Sequence, residues 1–381
     1  MTKSVMEFIL FIFLLFTACG GSKEPNGRGA GLAAEFTPWT HFRGNAALDG
    51  VTSATVPDSL KILWTFKTGK ACISSPVTDG SAVYIGSYDS SLYALNINNG
   101  NLVWKFKAGD EIEASPTIFG EMVLIGDLGG NFFSVNKNDG GVIWQFKTRG
   151  KIAGAANIIE GKNFVIFGSY DDTLYCLNAA DGELIWKYGS SSYINGTPAT
   201  DGKRIVFGGC DAGVHVLDAD DGTPIGNIDT DSYIAGSAVL KGGFAYVGSY
   251  GKKLLGIDIR ENKIAWTYVN DGRQAPFIAS PALSDTFLVA PSRDNFIHCV
   301  SSTTGNLIWK YAAKGQIDAS PVIAGNKVIV GCSAGFLYML DLKTGSRINT
   351  FDLGADLGGT PLVSGGMVIV GDDNGIVTAL K

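Results

Sequence analysis

Short apolar runs recur along this chain, each closed by Gly, Asn or Asp, and none follows the 3.6-residue period of an amphipathic helix. The unit that begins at Ile112 shows the pattern. Residues 112–118 contain a Ser-Pro pair, and Pro cannot donate to a ladder, so this stretch predicts a short inner strand. Gly120-Glu121 predicts a turn, residues 122–126 a buried apolar strand, and residues 127–131 a Gly-rich turn. Residues 132–136 predict a third strand, Asn138-Asp139-Gly140-Gly141 a tight turn, and residues 142–146 a fourth strand with Trp144 on one face.

This unit repeats. At Gly86 the chain reads GSYDSSLYALNINNGNLVWKF, and at Gly168 it reads GSYDDTLYCLNAADGELIWKY. Weaker copies start at Gly126, Gly208, Gly248, Pro291 and Gly331, with a truncated one at Gly371. The equivalent positions Trp64, Trp104, Trp144, Trp186, Gly226, Trp266, Trp309 and Asn349 are spaced by 40, 40, 42, 40, 40, 43 and 40 residues. Four short antiparallel strands in each forty-residue unit make a propeller blade. The last unit stops after a third strand at 375–380, and residues 61–66, with Trp64, supply its fourth. Pairing the two ends removes both open sheet edges. The expected fold is therefore all-β: an eight-bladed propeller of four-stranded blades, closed by its terminal strands. One ring per blade would wedge against the next, worth about 2–3 kcal/mol by buried area. Six positions carry that ring; blades 4 and 7, with Gly226 and Asn349, should dock less tightly.

Composition agrees with a large core. Hydrophobic residues make up 45% of the 381 and charged residues only 17%, which leaves no room for long disorder. The 51 glycines suit many tight turns. A net charge of −6 argues against nucleic acid as a partner.

The N-terminus reads differently. An unbroken apolar run at residues 8–16 is too short for a spanning helix and fits the core of a signal peptide. Leu15-Phe16-Thr17-Ala18-Cys19-Gly20 resembles the lipobox of bacterial lipoproteins, which implies a signal peptide at 1–18 and lipid attached to Cys19. The polar, Gly-rich remainder of 19–38 reads as a tether to the membrane, leaving 39–381 as the folded domain. Five further cysteines, Cys72, Cys176, Cys210, Cys299 and Cys332, form no CxxC or adjacent pair and are expected as free thiols.

The repeat GxxxxxLYALNxxxGxxxWxF resembles that of the pyrroloquinoline-quinone (PQQ) propellers, and Trp39-Thr40-His41-Phe42-Arg43-Gly44-Asn45 resembles the segment before their first blade. The resemblance spans about 39–381 and implies the fold; function is another matter, because sites are grafted onto folds. One branch of that superfamily is the quinoprotein dehydrogenases, which hold the quinone with calcium. The other is the BamB-type outer-membrane assembly lipoproteins, which the chain resembles more closely.

Chemistry for the first branch is sparse. The enzymes' adjacent cysteine pair and long inserted loops are absent from the sequence. Asp89, Asp171 and Asp211 recur at one repeat position and read as turn caps rather than metal ligands. Asp110, Glu111 and Glu113 lie in a loop near the expected channel, where a cation is conceivable but a solvated loop is the simpler reading. His41, His215 and His298 show no triad-like spacing, and no P-loop, GxGxxG or HExxH occurs. The expectation is no catalytic, metal or cofactor site. The loop 228–233 combines Asp229 and Asp231 with Tyr233 at a blade that lacks its Trp, and resembles the acidic interblade loop that docks the partner in the assembly lipoproteins. The expected molecule is a monomeric, membrane-anchored scaffold that binds protein partners, on the periplasmic face of the outer membrane with the assembly machinery as the partner. A PQQ-dependent dehydrogenase and a surface binder of carbohydrate or another small ligand are the alternatives.

Overall fold

The computed structural model describes residues 38–381. The signal peptide expected at 1–18, Cys19 and the tether expected after it, up to residue 37, lie outside the described residues. Eight antiparallel sheets follow one another along the chain, and no helix occurs among the described residues. Blade 1 runs from Val77 to Lys107, blade 2 from Thr117 to Lys147, blade 3 from Asn157 to Gly189 and blade 4 from Ala199 to Asp229. Blade 5 spans Val239 to Val269, blade 6 Ala282 to Ala312 and blade 7 Val322 to Asp352. Blade 8 joins Leu362 to Leu380 with Ile62–Lys67, and Ile62 pairs with Leu380 while Lys67 pairs with Ile376.

The hydrophobic pattern explains the layers. The second and third strands of a blade bury both faces, as in Ala82–Ser87 and Ser91–Asn96, so they read as continuous apolar runs. The outer strand is half wet: in Leu102–Lys107 only Trp104 is buried. All eight outer strands show a register shift beside the Trp position. Such a bulge bends an edge and leaves it a poor template for pairing, which suits eight exposed edges, five of which carry an exposed aliphatic pair such as Leu102 and Val103. The inner strand is shorter than the sequence predicts. In blade 2 it is Thr117–Phe119, and residues 112–116 form a loop, because Pro116 interrupts the ladder.

Blade-to-blade contact follows one rule. Each Trp of an outer strand lies against the Gly that turns between the third and outer strands of the following blade: Trp64 on Gly100, Trp104 on Gly140, Trp144 on Gly182, Trp186 on Gly222, Trp266 on Gly305 and Trp309 on Gly345. These glycines have φ between +69° and +76°, where a Cβ is disfavoured, and a Cβ would strike the indole at 2.5–2.7 Å. The indole Nε1 also donates to a carbonyl near that turn, as from Trp64 to Ile97 (2.8 Å) and from Trp309 to Leu342 (2.8 Å). Trp186 is the exception: its Nε1 is buried without a partner.

The two blades without the ring fill the space otherwise. Gly226 faces Asn262, which replaces the turn glycine and takes φ 50° itself, so its carboxamide occupies the volume of the missing indole. Asn349 donates to the carbonyl of Asp58 (2.9 Å), so a segment before blade 8 covers that junction. Lys327 completes it by donating to the Val56 carbonyl and pairing with Asp58 at 2.5 Å.

Residues 39–52 strap the inner strands together. Trp39 exchanges two backbone bonds with Thr78 of blade 1. The Thr40, Ala46, Ala47, Asp49 and Gly50 carbonyls then accept from Ile118, Thr200, Leu240, Leu283 and Ile323, and Val51 pairs in parallel with Ile323. Asn157 of blade 3 also reaches the Ala46 carbonyl, at 2.8 Å. Arg43 is fully buried here, with φ 62°. Its guanidinium donates to the carbonyls of Leu48 (3.1 Å), Pro321 (3.1 Å) and Pro281 (2.5 Å). Burial pulls its pKa down to about 9, so it remains charged at neutral pH.

Candidate functional site

The strap closes one end of the central channel, where Phe42 forms the floor of a cavity of about 390 Å³ that opens at the other face. The wall comes from the segments that lead into the inner strands, six of them Ser-Pro or Thr-Pro. Ser75 N–H donates to Ser115 Oγ (3.0 Å), Thr197 N–H to Ser237 Oγ (2.8 Å), Ser237 N–H to Ser280 Oγ (2.8 Å), Ser280 N–H to Ser320 Oγ (3.0 Å) and Thr360 N–H to Ser75 Oγ (2.9 Å). Ala155 donates to Thr197 but has no hydroxyl with which to accept. Pro follows Ser75, Ser115, Thr197, Ser280, Ser320 and Thr360 and frees that backbone from a ladder, and the hydroxyls satisfy the donors that remain.

At the open face each turn between the second and third strands is bonded to the loop that leads into its blade. Tyr170 N–H donates to the Lys151 carbonyl, Cys210 to Tyr193, Tyr250 to Tyr233 and Asp373 to Asp356. The recurring Asp pins the same two loops. Asp89 accepts from Gly69 N–H and the Tyr93 hydroxyl, and Asp171 from Arg149 N–H (2.9 Å) and the Tyr175 hydroxyl (2.8 Å). These carboxylates thus hold a neighbouring loop, a wider role than capping their own turn.

Two histidines extend this device. His215 Nε2 lies 3.0 Å from Asp211 Oδ2 and its Nδ1 3.2 Å from the Tyr188 hydroxyl of the preceding blade. His298 lies 3.1 Å from Asp294 and 3.0 Å from the Tyr268 hydroxyl, fully buried. Reading for catalytic triads missed them. The signal was available in the repeat itself: Asp and His stand four apart where other blades have Asp and Tyr. Each relay is enclosed between blades rather than opening into the cavity. His41 bonds Thr40 (2.8 Å), and burial lowers its pKa to about 4, which keeps the ring neutral.

The acidic cluster separates. Glu113 lines the cavity and accepts from the Tyr88 hydroxyl (2.9 Å), Glu111 pairs with Lys70 (2.9 Å), and Asp110 accepts from Glu111 N–H (2.8 Å). Asp318, Asp356 and Asp373 also line the cavity. Asp318 is bidentate with Arg293 (2.8 and 2.7 Å), whereas the Asp356 and Asp373 side chains have no hydrogen bond or ion pair among the described residues. Burial, Asp373 and Asp318 raise the pKa of Asp356; burial and Asp372 raise that of Asp373. Sequence reading did not single out these two, since only the closed ring brings blade 8 beside blade 1. Among the described residues no group of three or more His, Cys, Asp or Glu is placed to hold a metal ion. A calcium-held quinone therefore does not fit this donor set. The five described cysteines are free; four are buried, and Cys210 is partly exposed at the open face.

The loop with Asp229, Asp231 and Tyr233 stands at the rim of the same face. Its frame is fixed by Thr230, which is buried and donates to the Ala212 carbonyl (2.7 Å). Asp229 accepts from Asp231 N–H (2.9 Å), Asp231 pairs with Lys253 (3.3 Å), and Tyr233 is 57% exposed.

Known structures share the architecture. BamB from Moraxella catarrhalis is 18% identical with a TM-score of 0.72, over 85% of this chain and 98% of that one. The computationally designed Ika8 protein is 18% identical with a TM-score of 0.75, over 84% and 99%. The quinohemoprotein alcohol dehydrogenase of Pseudomonas putida HK5 is 11% identical with a TM-score of 0.77, over 90% and 80%. At these identities the likeness shows the fold alone. No curated protein matches the sequence. The profile of one family, described as outer membrane protein assembly factor BamB, matches residues 49–169, 134–269, 211–356 and 293–381, which together take in every blade. Eight undecorated blades and this continuous match make the chain a member of that BamB family.

Proposed function

We propose that the protein is a non-catalytic lipoprotein scaffold, anchored through Cys19, that holds a protein partner during assembly of β-barrels in the outer membrane. The continuous family match over 49–381 carries this reading. The unelaborated repeat supports it, since each unit stays near forty residues and no inserted loop encloses a reaction centre. Asp229, Asp231 and Tyr233 form the partner loop, a rigid turn with two exposed carboxylates and an exposed ring. Loops on a stiff frame are where such recognition is placed.

Purification of native complexes from detergent-solubilised membranes tests the proposal. Barrel-assembly components should co-purify with the wild-type chain and be lost with Asp229→Lys/Asp231→Lys. Absence of those components from the wild-type complex would sink the assembly role. PQQ and calcium should give no saturable absorbance change and no alcohol-dependent dye reduction; either response would restore the dehydrogenase reading.

A further inference from the structure

The open face is built from a constant frame with changing residues. Ile112, Ile152, Ile194, Ile234 and Ile317 recur at one buried position, while the residues on either side differ from blade to blade: Glu111 and Glu113, then Tyr193 and Asn195, then Gln316 and Asp318. The turns alternate likewise, with Tyr170, Cys210 and Tyr250 held by the same backbone bond. Packing fixes the constant positions, so the variable ones are free to serve recognition.

Those variable residues sort into two arcs. Blades 3 to 5 carry tyrosines: Tyr170 and Tyr193 stack with centroids 5.0 Å apart, and Tyr233 meets Tyr250 at 6.4 Å. Tyr193, Tyr233 and Tyr250 remain 49%, 57% and 43% exposed, a large apolar area for a surface with no cover. Blades 7 to 2 supply Glu113, Asp318, Asp356 and Asp373 around the cavity, and of these Arg293 is bonded to Asp318.

We propose that this face receives an extended basic segment of a partner polypeptide, whose Lys or Arg side chain enters the cavity beside Asp356 and Asp373 while adjacent Pro or aromatic residues lie on Tyr193, Tyr233 and Tyr250. The proposal rests on the reading of the chain as a protein-binding scaffold. Charge complementarity selects the occupant: two carboxylates without partners at the mouth of a hydroxyl-lined cavity favour a long, cationic, hydrogen-bonding side chain. The ring arc adds rigid contact area and a cation–π partner for a second basic residue.

Panning a random dodecapeptide library against the full chain in detergent tests this, followed by binding of fluorescein-labelled copies of the enriched peptides. Enriched sequences should hold Lys or Arg beside Pro or an aromatic residue. Asp356→Asn/Asp373→Asn should weaken them at least tenfold and Tyr193→Ala/Tyr233→Ala at least fivefold. Asp181→Asn/Asp221→Asn, in turns of the opposite face, should change affinity less than twofold. A melting temperature no lower than wild type for each variant shows that the loss is not unfolding. No enrichment, enrichment of acidic or uncharged peptides, or indifference to both open-face variants would overturn the proposal. Glycan binding sensitive to the tyrosine variant alone would also overturn it. If the native complex survives Asp356→Asn/Asp373→Asn, the basic segment is wrong and the scaffold stands. If basic peptides bind as described but no native partner co-purifies with the wild type, this face stands and the scaffold reading falls.

Discussion

The indole of Trp144 occupies the volume that a side chain at Gly182 would need: a Cβ there would come within 2.6 Å of Trp144 Cε3. Ring and glycine belong to different blades, so each is a condition for the other. Trp144→Ala should cost about 3–5 kcal/mol as a cavity opens between blades. Gly182→Ala should cost about 2–3 kcal/mol, since φ there is +76° and the indole must move. The double variant should cost less than the sum, because one change removes what the other strikes; chemical denaturation of all four proteins measures this coupling.

The junction of blades 4 and 5 offers the converse. Gly226→Trp alone should destabilise, because Asn262 already fills that space. Together with Asn262→Gly it should recover the loss and gain about 1 kcal/mol or more, as the ring finds the glycine turn used elsewhere. A double variant no more stable than Gly226→Trp would refute the pairing rule.

Arg43 makes a separate prediction. Arg43→Met removes a buried charge but leaves three carbonyls, those of Leu48, Pro281 and Pro321, without their donor. The loss should be about 2–4 kcal/mol, seen as a fall of about 3–6 °C in melting temperature. Backbone amides that bond the strap, such as Leu283 and Ile323, should then exchange faster.

Asp294 couples stability to pH. Burial raises its pKa, but the hydrogen bond and charge of His298, the Phe296 N–H and the Asn270 amide outweigh it, so the net shift is downward from 3.8. A carboxyl depressed in the folded state stabilises above its unfolded pKa, and that stabilisation is lost as pH falls through the folded value. Asp294→Asn should therefore cost about 2–3 kcal/mol at pH 7, with the gap from wild type narrowing below pH 3.8. Melting curves across pH 2–7 check the sign.

Asp356 and Asp373 should behave oppositely. Their folded pKa values are raised above 3.8, so their ionisation opposes folding once pH climbs past that value. Asp356→Asn/Asp373→Asn should melt about 1–2 °C higher at pH 7, and the advantage should vanish below pH 3.8.

Most of the fold was legible because one spacing governs it. The Trp period located eight outer strands, and the three-stranded last unit pointed to Ile62–Lys67 as its closing partner. Residues 112–116 misled because an apolar stretch with Pro looks like a strand until hydroxyls replace its ladder. The Tyr–His–Asp relays were half legible: Asp294 and His298 are four apart, but Tyr268 comes from another blade. Asp356 and Asp373 could not be joined to Glu113 by spacing, since they meet only when the ring closes on itself.

The strap beneath the blades also decides how the molecule answers a pull. Force applied to the chain ahead of Trp39 loads the Thr78 bridge first, then the bond at Ile118, and later those at Thr200, Leu240, Leu283 and Ile323. Contacts broken one after another yield at low load, whereas contacts broken together resist. A tug on that end would therefore peel the strap before it reached the Trp–Gly seams, and would uncover the cavity floor at Phe42 while the ring stayed shut.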